Sequence, residues 1–130
     1  METFPSKVEG IPVGRNCRRI HFLHGACVSF GTTNGAVIGQ YLVHQGERPP
    51  SILAIRFGSD VRDWQVHPKQ QPTGKDPATV AWRGRNGAGQ ALQLFITTWD
   101  NPQPATKVDR LDYVSLMSSG APFLLAITVE

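Results

Sequence analysis

From Leu92 to Trp99 the chain alternates two sets of side chains. Leu92, Leu94 and Ile96 fall on one face of an extended segment, and Gln93, Phe95, Thr97 and Trp99 on the other. Phe and two Thr add β-favouring residue types, so the period predicts a central strand. Asp100, Asn101 and Pro102 end it, because Pro donates no hydrogen bond and Asp and Asn side chains bond their own backbone. The strand therefore delivers Trp99, Asp100 and Asn101 to the rim of a sheet.

The same alternation recurs along the chain. Val8 to Val13 is apolar but broken by Gly10 and Pro12, which confines it to an edge. In Arg18 to Val28, Ile20, Phe22, His24, Ala26 and Val28 share one face, with Arg19, His21 and Leu23 opposite. The turn GTTNG (Gly31 to Gly35) leads to Val37 to His44, which sets Tyr41 and Val43 against Leu42 and His44. Ser51 to Phe57 is almost continuously apolar and predicts a strand covered on both faces. Gly58 to Gly74 has no period and many turn residues, and long connections of that kind are often functional. Thr79 to Arg83 carries Trp82, and GRNGAG (Gly84 to Gly89) forms a hairpin turn into the Leu92 strand. Val108 to Met117 and Phe123 to Val129 complete about eight strands at spacings of roughly ten residues, with no trustworthy helical period. The natural packing of these strands is an all-β, two-sheet antiparallel β-sandwich. A jelly roll is favoured over an immunoglobulin-like sandwich by the strand count and by the missing Cys, Trp, Cys spacing.

A length of 130 residues fits one β-sandwich domain, residues 1–130, whether free or excised from a longer protein. A charged fraction of 18% suits a compact β-rich domain, and 13 Gly with 10 Pro supply the many turns. The formal charge of +3 is too small an excess to argue for nucleic acid. Arg15, Arg18 and Arg19 read as a solvated strand edge rather than a phosphate site. No run approaches the roughly eighteen apolar residues of a membrane span, and METFPSKVEG lacks a signal-peptide core. On one continuous strand Cys17 and Cys27 would stand about 33 Å apart, so both are expected to be thiols, buried by preference.

The runs HFLHGAC (His21 to Cys27), VIGQYLVH (Val37 to His44), GSDVRDW (Gly58 to Trp64), TTWDNPQP (Thr97 to Pro104) and APFLLAITVE (Ala121 to Glu130) span nearly the whole chain in order. They resemble a bacterial jelly-roll module of large planctomycete and verrucomicrobial proteins, similar to galactose-binding-like or carbohydrate-binding accessory domains. The resemblance implies a galactose-binding-like sandwich in a secreted or periplasmic parent. Gln45, Gly46 and Glu47 stand where that pattern has an aromatic and an Asp-Gly turn, and Gln65 replaces a second aromatic after Trp64. The sheet-forming sequence that precedes the first run in such modules is missing, which would expose an edge for pairing with another copy or a neighbouring domain.

Trp64, Trp82, Trp99 and Tyr41 are the candidate sugar-stacking aromatics, since an indole packs against the apolar face of a pyranose while carboxylates and amides bond its hydroxyls. Two loop clusters have that chemistry: Asp60, Arg62, Asp63 and Trp64, and Trp99, Asp100 and Asn101. The alternative for each Trp is a core or loop-anchoring role. Asp60, Asp63 and Asp100 would also suit a structural Ca²⁺, although turn capping explains them as well. His21 and His24 point to opposite faces and cannot share a metal, and His24 reads as a buried neutral imidazole. Glycoside hydrolysis is disfavoured because no Glu stands among the loop carboxylates. The expected function is a non-catalytic carbohydrate-binding module that uses both clusters at one end of the sandwich. The alternative is a structural or docking domain assembling through an exposed sheet edge.

Overall fold

Eight strands form: β1 (Lys7–Arg15), β2 (Arg19–Val28), β3 (Val37–His44), β4 (Ser51–Arg56), β5 (Thr79–Arg85), β6 (Ala91–Asp100), β7 (Val108–Ser115) and β8 (Gly120–Val129). The computed structural model describes residues 5–28, 32–67 and 78–130, so the first four residues, Gly31 of the GTTNG turn and residues 68–74 of the long connection lie outside the described residues. All pairings between strands are antiparallel. They make one sheet in the order β1-β7-β3-β4 (sheet A) and one in the order β5-β6-β2-β8 (sheet B), which is the expected all-β two-sheet sandwich. The adjacencies β5-β6-β2 and β7-β3-β4 repeat the D-E-B and F-C-C′ neighbours of immunoglobulin-type wiring, with β8 beside β2 and β1 beside β7.

The alternation read along β6 is realised, and the face carrying Phe95 is the one that enters the core. Phe95, Ile20, Phe22, Ala26, Tyr41, Val43 and Leu111 are buried between the sheets. β6 lies between β5 and β2, and β1 is an edge strand, both as expected. At Gly10 and Gly14 the backbone of β1 turns to φ +74° and +66° where its register with β7 shifts, so two bulges twist this edge. β4 departs from expectation. It is an edge strand whose outward-facing Ile52 is 64% exposed, because nothing among the described residues covers that face.

Polar ties join the sheets through the core. Tyr41 of sheet A stacks on Phe22 of sheet B with centroids 4.1 Å apart, and its hydroxyl oxygen lies 2.7 Å from His24 Nδ1. His24 Nε2 lies 2.8 Å from Thr97 Oγ1, so both ring nitrogens are engaged. Tyr113 of β7 donates to the carbonyl of Pro122 in β8 and supplies a second tie. Burial pushes the Tyr41 phenol far above its ordinary range and the Tyr113 phenol up to about 12, so both stay protonated. On the outer face of sheet A, Asp112 accepts the Gly10 amide at 2.9 Å and meets His44 at 2.6 Å, which anchors the first bulge of β1. Burial alone would raise the Asp112 carboxyl, but the Gly10 amide and His44 bring it below its usual range.

His24 is buried and neutral, as the sequence predicts, and burial lowers its pKa from 6.5 to about 4. The unfolded chain takes up this proton near pH 6.5 while the folded chain refuses it until about 4, so the unfolded state binds more protons within that window. The stabilisation is complete above pH 6.5 and is lost as pH falls toward 4, a loss of about 3 kcal/mol. Urea unfolding of the protein and of His24→Gln at pH 7 and pH 4.5 is expected to show a much smaller acid loss in the variant. Equal losses would contradict this account.

Candidate functional site

β2 and β6 pair from Arg19 with Asp100 to His24 with Phe95 and then separate. Beyond the fork β2 continues beside β8 and β6 beside β5, which leaves facing backbone groups unpaired. The stretch from Asp63 to Val66 enters the gap and satisfies them. Trp64 donates its amide to the Ala26 carbonyl at 2.8 Å, Gln93 donates to the Trp64 carbonyl at 2.8 Å, and Val66 donates to the Ala91 carbonyl at 3.0 Å. The buried Gln93 side chain adds a bond to the Asp63 carbonyl at 3.0 Å. This inserted segment lies within the described part, residues 58–67, of the long irregular connection.

The insertion places Trp64 in a groove of about 310 Å³ on sheet B, lined with Cys27, Trp82, Leu92, Leu94, Phe123 and Leu125. Two glycines open it. A Cβ at Gly84 would fall within the indole of Trp82, and one at Gly25 would stand 2.8 Å from Phe123 Cζ, so each ring closely approaches bare backbone. Phe123 in turn meets Trp64 edge-on with centroids 6.4 Å apart. Trp82 is 47% exposed and Leu125 57%, so the apolar surface continues out of the groove.

The Asp60 to Trp64 cluster supports this insertion. Asp60 accepts the Arg56 amide at 2.8 Å, and burial raises its carboxyl above the usual range despite that bond. Asp63 accepts the Gln65 amide at 3.1 Å and meets His67 at 3.0 Å. The Arg62 guanidinium carbon sits 5.7 Å from the Phe95 ring centroid, with its Nε buried and lacking an acceptor among the described residues. Burial and the neighbouring Arg83 lower its pKa.

Trp99, Asp100 and Asn101 lie elsewhere. Asp100 stands opposite Arg19 while Asp63 stands beside Ala26, seven positions further along β2. That is roughly 23 Å, so the two clusters do not form the single site expected at one end of the sandwich. Trp99 turns inward opposite Ile20 and packs against the core. Asp100 is exposed and pairs with Arg19 at 3.0 Å, within a surface row that continues to Glu130 and His21. Asn101 is buried. Its amide group donates to the Cys17 carbonyl at 2.8 Å, and its carbonyl oxygen accepts the Gln103 amide at 2.8 Å. Gln45, which follows β3, reaches Asn101 and the carbonyls of Gln103 and Thr106 from within the same buried knot. Tyr41, also expected as a stacking aromatic, is core.

Asp60, Asp63 and Asp100 do not converge on a Ca²⁺, and no group of three or more acidic, His or Cys side chains able to hold a metal occurs among the described residues. Cys17 is a buried thiol as expected. Cys27 is instead exposed at the groove, with its thiol pKa raised by partial burial and then by Asp63. Of the groove residues, Trp64 alone belongs to the expected site, Trp82 only to the wider set of candidate aromatics, and the others to neither. Their one sequence signal is β6 itself, where Leu92, Leu94 and Ile96 make the second face as apolar as the first.

The Trp99 corner is a structural joint, which gives a direct check. Asn101→Ala leaves the Gln103 amide and the Cys17 carbonyl without this partner, and should lower unfolding stability by about 1–3 kcal/mol. A change below about 0.5 kcal/mol in urea denaturation would show that the knot is dispensable.

No family model, curated protein or solved structure matches this chain.

Proposed function

We propose that this domain is a non-catalytic docking module that holds an apolar segment of a protein partner, in a neighbouring domain or a second copy, in the groove between Trp64 and Trp82. The observation that carries this reading is the groove lining. Three leucines, two indoles, a phenyl ring and a thiol face one another, and the one polar side chain that lines the groove among the described residues, Gln93, is bonded to the Asp63 carbonyl. Such a wall gains free energy by covering carbon, whereas a sugar hydroxyl placed there would lose its water bonds without replacement. The β5 edge beside the groove, which pairs with no further strand among the described residues, adds backbone groups for an extended segment.

Carbohydrate binding is the second reading, favoured by the two indoles in one groove and by the resemblance to galactose-binding-like jelly rolls. In that case Trp64 and Trp82, rather than Trp64 and Trp99, form the stacking platform, and the hydroxyl partners come from the rim.

Selection of a random displayed-peptide library on the immobilised domain separates the two readings. Docking expects enriched apolar sequences whose binding weakens about tenfold or more in Trp82→Ala and in Gly84→Ala, which keeps the indole but displaces it. Equal binding by all three proteins would remove the groove as the contact. Calorimetric heats with soluble glucans, xylans or galactans that vanish in Trp64→Ala and Trp82→Ala would replace docking with the carbohydrate reading.

A further inference from the structure

Resting on the docking reading, the charge and register of β5 say more about the partner. Beyond the irregularity at Ala81, Trp82 stands opposite Leu94 on the groove face, and Arg83 opposite Gln93 on the face shared with Phe95. Successive positions of this edge thus offer an apolar surface on one side and a cation on the other. Arg62 lies over Phe95, whose position on β6 is two residues, about 7 Å, from Gln93, the partner of Arg83, and the two guanidiniums are near enough for Arg83 to lower the Arg62 pKa. Neither makes an ion pair among the described residues, and the buried Nε of Arg62 lacks an acceptor. Two neighbouring guanidiniums repel each other, the more so because Arg62 is partly buried while Arg83 is exposed, and a carboxylate between them would relieve the repulsion and supply the missing acceptor.

The other edges lack this combination. β1 is twisted by its two bulges, β4 is short and lies in the opposite sheet, and β8 has Pro122, a register shift near Leu124 and no charged residue.

We propose that the partner is an extended acidic segment that adds as a fifth strand to the β5 edge of sheet B. Its apolar side chains lie beside Trp82 on the outer face, and its alternate, acidic side chains lie against Arg62 and Arg83 on the inner side. Main-chain bonds to Trp82–Arg85 give the register, and the alternation gives the specificity.

Three capped hexapeptides test this, each alternating leucine with glutamate, glutamine or lysine, titrated into the domain by calorimetry. The glutamate peptide is expected to bind about tenfold or more tightly than the glutamine peptide, with the preference shrinking in high salt. Arg62→Gln and Arg83→Gln should each reduce that preference, and the exposed-site reversal Arg83→Glu should transfer it to the lysine peptide. Slowed amide exchange across residues 82–85 in the complex would support strand addition. Equal binding of the glutamate and glutamine peptides, or an unchanged order in Arg83→Glu, would overturn the acidic-strand inference and leave the docking reading standing. No binding of any of the three would also overturn it, and the library selection, which uses none of these peptides, decides separately whether docking itself fails.

Discussion

Backbone hydrogen bonding at the fork between β2 and β6 is the constraint from which the rest of this domain follows. Two adjacent strands that separate within a sheet leave facing N–H and C=O groups, and those groups must find partners because sheet interiors exclude water. Here the partners come from Asp63 to Val66, inserted beside Ala26 on one side and Gln93 and Ala91 on the other. The fork has local causes. Gly25 lets Phe123 lie over β2, and β8 shifts register against β2 between Leu23 and His24, where the strand bends.

One insertion therefore serves the fold and the surface together. It closes sheet B, it fixes the main chain of Trp64, and it sets that indole edge-on to Phe123. At the opposite end of β2 the same demand for partners is met by side chains. Asn101 and Gln45 saturate the carbonyls and amides of the chain around Cys17 and Gln103, and Trp99 is drawn into the core. The two ends carry similar residue types but differ in outcome. At one the polar groups are consumed internally, and at the other an apolar surface remains open.

Much of the fold was legible because period two is a local property. The strands around Phe22, Tyr41, Phe95 and Ile127 follow from alternation alone, as does the inward neutral His24. Strand count could not choose among sandwich connectivities, since adjacency depends on pairings such as Lys7 with Val114 that lie a hundred residues apart. The continuous apolar run of β4 was misleading for a related reason: a buried strand and an edge strand with an exposed Ile52 share one pattern. The site was less legible than the fold. Trp64 and Trp99 are each followed or preceded by aspartate in sequence, yet only the register of β2 shows that they are far apart. The Tyr41–His24–Thr97 chain and the His44–Asp112 pair likewise join residues with no spacing signature. Asn101, expected as a ligand-binding residue at the sheet rim, proves to be part of a buried joint with Gln45.

The inserted segment is the claim on which the groove, its indoles and the partner all rest. Native-state hydrogen exchange of the Trp64, Val66 and Gln93 amides tests it most directly, because each has its stated acceptor only if the segment is a true part of sheet B. The account predicts that these amides exchange as slowly as those in the β2–β6 core around Phe22, through global unfolding. Fast exchange at Trp64 and Gln93, at the rate of exposed loops, would contradict it.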